Sequence, residues 1–167
     1  MPRIIDSILM ELDQEAATTK RVLARVPADK LSWKPHDKSM SLGQLALHVA
    51  TVPGDVAGMT AADEVDVPDF GEAPTVSSTD ELMAAYDKSL SAAREILDGM
   101  DDEKAMATWK ATKGGQELMA VPRIGVIRSI MLNHWYHHRG KLSVYLRLLN
   151  ISVPSIYGPS ADENPWV

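Results

Sequence analysis

The chain has 167 residues, no cysteine and a formal net charge of −6. That length suits a single domain, 1–167, with a core large enough to need no staples. The lack of cysteine excludes disulfides, thiolate ligands and a cysteine nucleophile, and the negative balance argues against nucleic acid as a partner. The opening Met-Pro-Arg-Ile-Ile-Asp brings charge too early for a secretory signal. The longest uncharged stretch, 39–54, contains Gly43, Gln44, His48, Thr51 and Pro53, so no membrane span is expected. A soluble cytoplasmic protein is the expectation.

Ile4, Ile5, Ile8, Leu9, Leu12, Ala16, Thr19, Val22, Leu23 and Val26 recur with a helical period. They predict an amphipathic helix over about 3–25, ended by Pro27, because a proline disfavours α geometry in the residue before it. Residues 27–40 read as a connection, with Trp33 and Pro35 packing over one end of a bundle. Ser41 with Gln44 forms a capping-box pattern that opens a second helix, about 42–61. Leu42, Leu45, Ala46, Val49, Val52 and Val56 make its apolar stripe, His48 faces the same way, and Pro53 should kink or interrupt it.

Residues 62–78, which hold Phe70 and several acidic residues, form the longest gap and predict a crossover or a functional loop. Ser78 and Glu81 make a second capping box for a third helix over about 79–98, with Gly99 as its C-cap. The run from Thr108 to Thr112, followed by Gly114-Gly115, allows a small hairpin. Pro122 suits the first position of a last helix, about 122–149. Ile124, Ile127, Ile130, Met131, His134, His138, Leu142, Tyr145, Leu146 and Leu149 lie on its stripe, and Asn150 can cap it. Gly140 within it is expected to permit close approach of a neighbouring helix, and the tail, 150–167, to dock on the bundle. Four amphipathic helices and almost no strand pattern make the expected fold all-α, a four-helix bundle.

Three histidines, His48, His134 and His138, fall on the inward stripes of two helices. A lone histidine on an apolar face is ordinarily a hydrogen-bonded core residue. Residues four apart on a helix, however, lie on one face with Cβ atoms roughly 5–6 Å apart, which gives His134 and His138 a common target. Neutral imidazole binds zinc, nickel, iron and copper alike, and three protein ligands leave the open position typical of catalytic zinc. The last helix carries no carboxylate between Arg123 and Leu149, so an acid or base must come from elsewhere. Asp55, seven residues after His48, could face the site or be a solvated residue beside Pro53. His137, on the flank of the stripe, could be an alternative ligand, a hydrogen-bonding neighbour or a packing residue. Arg139 could hold an anionic substrate group, although a salt bridge to the acidic first helix is the simpler reading.

The segments Ser39-Met-Ser-Leu-Gly-Gln-Leu-Ala-Leu-His48-Val-Ala and Leu132-Asn-His134-Trp-Tyr-His-His138-Arg-Gly-Lys-Leu-Ser-Val-Tyr-Leu-Arg147 resemble the DinB-like superfamily. So does the tail Val153-Pro-Ser-Ile-Tyr-Gly-Pro-Ser-Ala-Asp162. The resemblance implies a bundle in up-down-down-up order with a long crossover between the second and third helices. It implies a divalent metal held by His48, His134 and His138, and a homodimer. Zinc or nickel is the expected ion, and an exposed helical face involving Trp135 and the long connection is one option for the dimer. Relatives of known activity include thiol-dependent S-transferases and isomerases and hydrolase-like members; some carry glutamate where this chain has His134. The implied function is metal-dependent activation of a low-molecular-weight thiol or water for transfer to a small electrophilic substrate. The alternative is a non-catalytic metal- or ligand-binding bundle.

Overall fold

The computed structural model describes residues 1–69 and 71–166; Phe70, in the long connection, and Val167, at the end of the tail, lie outside the described residues. Most of the chain is helical. The long helices are α1 (Ile4–Leu23), α2 (Leu42–Met59) and α3 (Thr79–Asp98), followed by a short α4 (Asp102–Met106). The last helix, α5, is a composite: an α-turn at Arg123–Val126, a π-helical stretch at Ile127–Leu132, and an α-helix over Asn133–Leu148. Both α1 and α2 pack against α3 and α5. Among the described residues no helix is long and apolar enough to cross a membrane.

The all-α expectation needs a correction, because a three-stranded sheet is attached to the helices. Strand β2 (Thr108–Lys113) pairs antiparallel with β3 (Gln116–Pro122), as the hairpin pattern predicted. Gly114 and Gly115 turn between them at φ 57° and 80°, the positive values a two-residue hairpin requires. The unexpected member is β1 (Glu64–Asp66), drawn from the long connection and paired parallel with β2. Trp109 fastens the sheet to the end of α2 by donating from its indole N–H to the Met59 carbonyl at 3.0 Å. Arg123, fully buried, donates to the carbonyls of Thr60, Ala62 and Lys104 and pairs with Asp63, so the crossover is tied to the start of α5.

The capping signals are realised with one variation. Ser41 Oγ accepts from the Gln44 N–H at 3.2 Å, while Gln44 Oε1 accepts from the Ser41 N–H at 2.8 Å. Ser78 caps α3 in the same way, but Glu81 returns its carboxylate to the N–H and hydroxyl of Ser77. Asn150 takes the left-handed conformation, φ 59°, that ends α5. Trp33 packs edge-on against Tyr145, whereas Pro35 is exposed rather than buried over the bundle end.

Pro53 lies inside α2 without ending it. A proline has no N–H for the carbonyl four residues earlier, here that of Val49. That orphan carbonyl accepts from the indole N–H of Trp135 at 2.8 Å. On the other side Ser89 Oγ accepts from the Gly54 N–H and donates to the Thr51 carbonyl, both at 2.9 Å. The break in the backbone ladder of α2 is thus closed by α3 and α5. Gly54 is also a point of close helix approach: a Cβ there would lie 2.8 Å from the Ser89 carbonyl oxygen. Gly140 does not have the role expected of it, since a Cβ there would meet nothing within 4 Å.

Candidate metal centre

The π-helical stretch sets the rotation of α5. Such a stretch amounts to one inserted residue, which turns everything after it by about 100° relative to a continuous α-helix. Upstream, Arg123 and Val126 are buried; downstream, the buried face is centred on Trp135 and Leu142, with Arg139 at one edge and His138 at the other. His134 is consequently half-buried at the margin of the core rather than at its centre. His48, on α2, faces the same margin and is also half-buried. The three rings therefore meet where two helices adjoin and solvent is close.

Their ligand nitrogens all lie within 4.8 Å of one another. Nε2 of His48 is 2.9 Å from Nε2 of His134. Two nitrogens bound to one ion at about 2.0–2.1 Å, at angles between a right angle and tetrahedral, stand about 2.9–3.4 Å apart, so this spacing fits a shared ion. Ring centroids are 4.3 Å apart for His134 and His138, 4.5 Å for His48 and His138, and 5.1 Å for His48 and His134. His138 is only 9% exposed, and its Nδ1 is buried without a hydrogen-bond partner among the described residues. A buried polar atom left so is costly. An unsatisfied nitrogen within a cluster of imidazoles is consistent with a set of metal donors.

The electrostatics favour the neutral, ligating form. Burial lowers the basicity of His138, with help from His48 and His134, to a pKa of about 3. Burial also lowers His48, next to the His134 ring, and lowers His134, next to His137. Lys141 pushes all three in the same direction, while Asp55 alone opposes the shift at His48. Neutral imidazoles bind metal without first giving up a proton.

The other sequence candidates separate clearly. Asp55 is exposed, near enough to His48 to be felt electrostatically, and hydrogen-bonded to nothing among the described residues. His137 is exposed with its ring edge-on to His138, 5.0 Å between centroids. Arg139 points away from the triad into the core. It is 1% exposed, ion-paired with Glu15, and donates to the Glu15 carbonyl, Thr19 Oγ1 and the Tyr157 hydroxyl. The salt bridge to the first helix is the reading the geometry matches. Trp135, considered for an exposed face, is 0% exposed. Its role behind His48 could have been read from Pro53, whose missing N–H demands a donor for Val49.

A sequence model of the DinB family matches residues 1–165. The chain belongs to the DinB family. It is 23% identical over 164 residues to the uncharacterized protein YrdA of Bacillus subtilis, a match covering 98% of this chain and 93% of that protein. Its fold is similar to the crystal structure of a DinB-like protein from Bacillus cereus, with a TM-score of 0.70 at 21% identity, covering 94% of this chain and 100% of the other. It is also similar to the DinB-like protein YjoA of Bacillus subtilis, with a TM-score of 0.68 at 18% identity, covering 90% and 97% of the two chains. The family assignment and a histidine cluster able to bind metal thus stand together on one chain.

Proposed function

We propose that this DinB-family chain is a metal-dependent enzyme in which His48, His134 and His138 hold a divalent ion, zinc or nickel. Its reaction is the activation of a low-molecular-weight thiol or water for transfer to a small electrophilic molecule. The observation that carries the reading is the meeting of three neutral, poorly basic imidazoles from two helices within 4.8 Å at the edge of the core. When bound, a divalent ion supplies Lewis acidity that favours the anionic, nucleophilic form of a thiol or water. His48 and His134 are half-buried, so the cluster is not sealed from solvent. His137 and Asp55, both exposed at the rim, are the groups placed to take up a proton.

The reading includes the up-down-down-up order of the long helices. Supporting it, Arg3, Asp13 and Lys20 of the first pair with Asp98, Arg94 and Asp87 of the third, an antiparallel pattern. Glu11 and Glu15 of the first meet Arg128 and Arg139 of the last in parallel order. It also includes a cytoplasmic homodimer, for which sedimentation of the purified protein is the check.

Elemental analysis of protein purified without a metal-affinity column should find about one divalent ion per chain, and His48→Ala should reduce it to background. Metal-loaded protein incubated with a thiol and an electrophile should then form conjugate. Unchanged metal content in His48→Ala would end the reading at its first step. A non-catalytic metal-binding bundle is favoured by a different observation: no carboxylate among the described residues hydrogen-bonds any of the three histidines. That version predicts a chelator-sensitive melting temperature, because binding to the folded form alone stabilises it, with no turnover.

A further inference from the structure

The rim of the histidine cluster carries unequal charge along the groove between α2 and α5. Lys141 follows His138 by three residues and His137 by four, so it stands on the same face of α5, about 4.5 Å further along the axis than His138. It is exposed and has neither an ion-pair nor a hydrogen-bond partner among the described residues. The four other cations of α5 are all engaged: Arg123 with Asp63, Arg128 with Glu11, Arg139 with Glu15 and Arg147 with Asp162. Asp55 lies toward the opposite end of the groove, because α2 and α5 run antiparallel past the triad: His48 meets His134 and His138, while Met40 accepts from Tyr145. A small molecule reacting at the triad thus meets a free ammonium on one side and a free carboxylate on the other.

We propose that Lys141 is the specificity-determining residue of this site, its ammonium holding an anionic oxygen group, carboxylate or phosphate, of the molecule that reacts at the histidine cluster. The inference rests on the metal-centre reading above and adds the substrate class to it. A flexible, compact ammonium attracts such a group by charge without the fixed fork of an arginine, so it accepts either anion. Its electrostatic reach already covers all three rings, whose basicity it helps to lower.

The test uses the full chain loaded with cobalt(II) and three thiols of similar size. Of these, 3-mercaptopropionate carries a carboxylate, 2-mercaptoethanol is neutral and cysteamine is cationic. Thiolate binding is read from the sulfur-to-cobalt charge-transfer band. Lys141→Gln should weaken 3-mercaptopropionate about fivefold, the scale of a solvent-facing ion pair, and leave 2-mercaptoethanol unchanged. Lys141→Arg should restore the preference, and Lys141→Glu should reverse it toward the cationic thiol cysteamine. The wild-type preference should also shrink with added salt. Equal weakening of 3-mercaptopropionate and 2-mercaptoethanol in Lys141→Gln, or no change in either, overturns the proposal while leaving the metal centre intact. Failure of cobalt to load overturns the metal centre itself, and the proposal with it.

Discussion

His138 and Arg139 are consecutive residues, both buried, and they face opposite problems. Arg139 brings a full charge into the core and meets Glu15, Thr19 and the Tyr157 hydroxyl, with the Tyr136 and Tyr157 rings 5.3 Å and 5.1 Å from its guanidinium carbon. His138 brings a neutral ring with one nitrogen unsatisfied, beside two further rings of lowered basicity. The first cluster is closed: its charges are matched within the chain, and the tail is part of the match. The second is open: one nitrogen of His138 has no hydrogen-bond partner among the described residues, and His48 and His134 are only half-buried. One turn of helix therefore presents a scaffold on one side and a centre for exchange on the other.

Arg139 is where this contrast breaks most severely. Arg139→Met keeps much of the side-chain volume but leaves Glu15 buried and unpaired. Removing one partner of a buried ion pair costs about 3–5 kcal/mol. Urea unfolding of the metal-free protein should show that loss, and Glu15→Gln in the same chain should recover part of it. His138→Leu in metal-free protein should cost far less by the same measurement, since it removes a nitrogen that has no hydrogen-bond partner among the described residues. Comparable losses for the two variants would erase the distinction.

Trp135 sharpens it next. Its indole N–H is the partner of the Val49 carbonyl that Pro53 leaves free, and Val49 adjoins His48. Trp135→Phe retains an aromatic ring but leaves that carbonyl unsatisfied, at about 1–3 kcal/mol. Replacing Pro53 with alanine as well supplies the missing N–H, so the double variant should be more stable than Trp135→Phe alone. Additive losses in a double-mutant cycle would show that the two residues do not share the carbonyl.

The helices and the capping signals at Ser41, Ser78 and Gly99 were legible because apolar period and capping chemistry are local. The pairing of His134 with His138 was legible because a four-residue spacing survives any rotation of the helix that carries it, and His48 because it shares the apolar stripe of the second helix. What was lost depends on a single inserted residue. A constant period carried from Pro122 to Leu149 puts Trp135 on the flank; the π-helical stretch at Ile127–Leu132 turns it to the centre and leaves His134 at the margin. Strand β1 was lost for another reason. Its three residues carry no alternation worth reading and pair with β2, more than 40 residues on in the chain. Gly140 was assigned the close helix approach that belongs to Gly54, because a glycine in a helix does not announce which way it faces.

The smallest effect is the one that titrates the open cluster directly. An unfolded histidine has a pKa near 6.5, and His138 in the folded metal-free chain is held at about 3, with His48 and His134 also lowered. Between those values the unfolded chain binds more protons than the folded one, so stability rises with pH there. The contribution is complete above about pH 6.5 and is lost progressively as the pH falls toward 3. The slope is about 1.4 kcal/mol per pH unit for each proton taken up on unfolding. The range from pH 6.3 down to about 5 isolates the histidines, because carboxylates titrate near 4. Urea midpoints across that range should fall with acid in metal-free wild type. His138→Leu should fall less steeply, and saturating metal should steepen the fall by adding proton competition for the ligands. An acid slope unaltered by His138→Leu would mean that the ring is not held neutral by the fold, and the contrast with Arg139 would lose its electrostatic half.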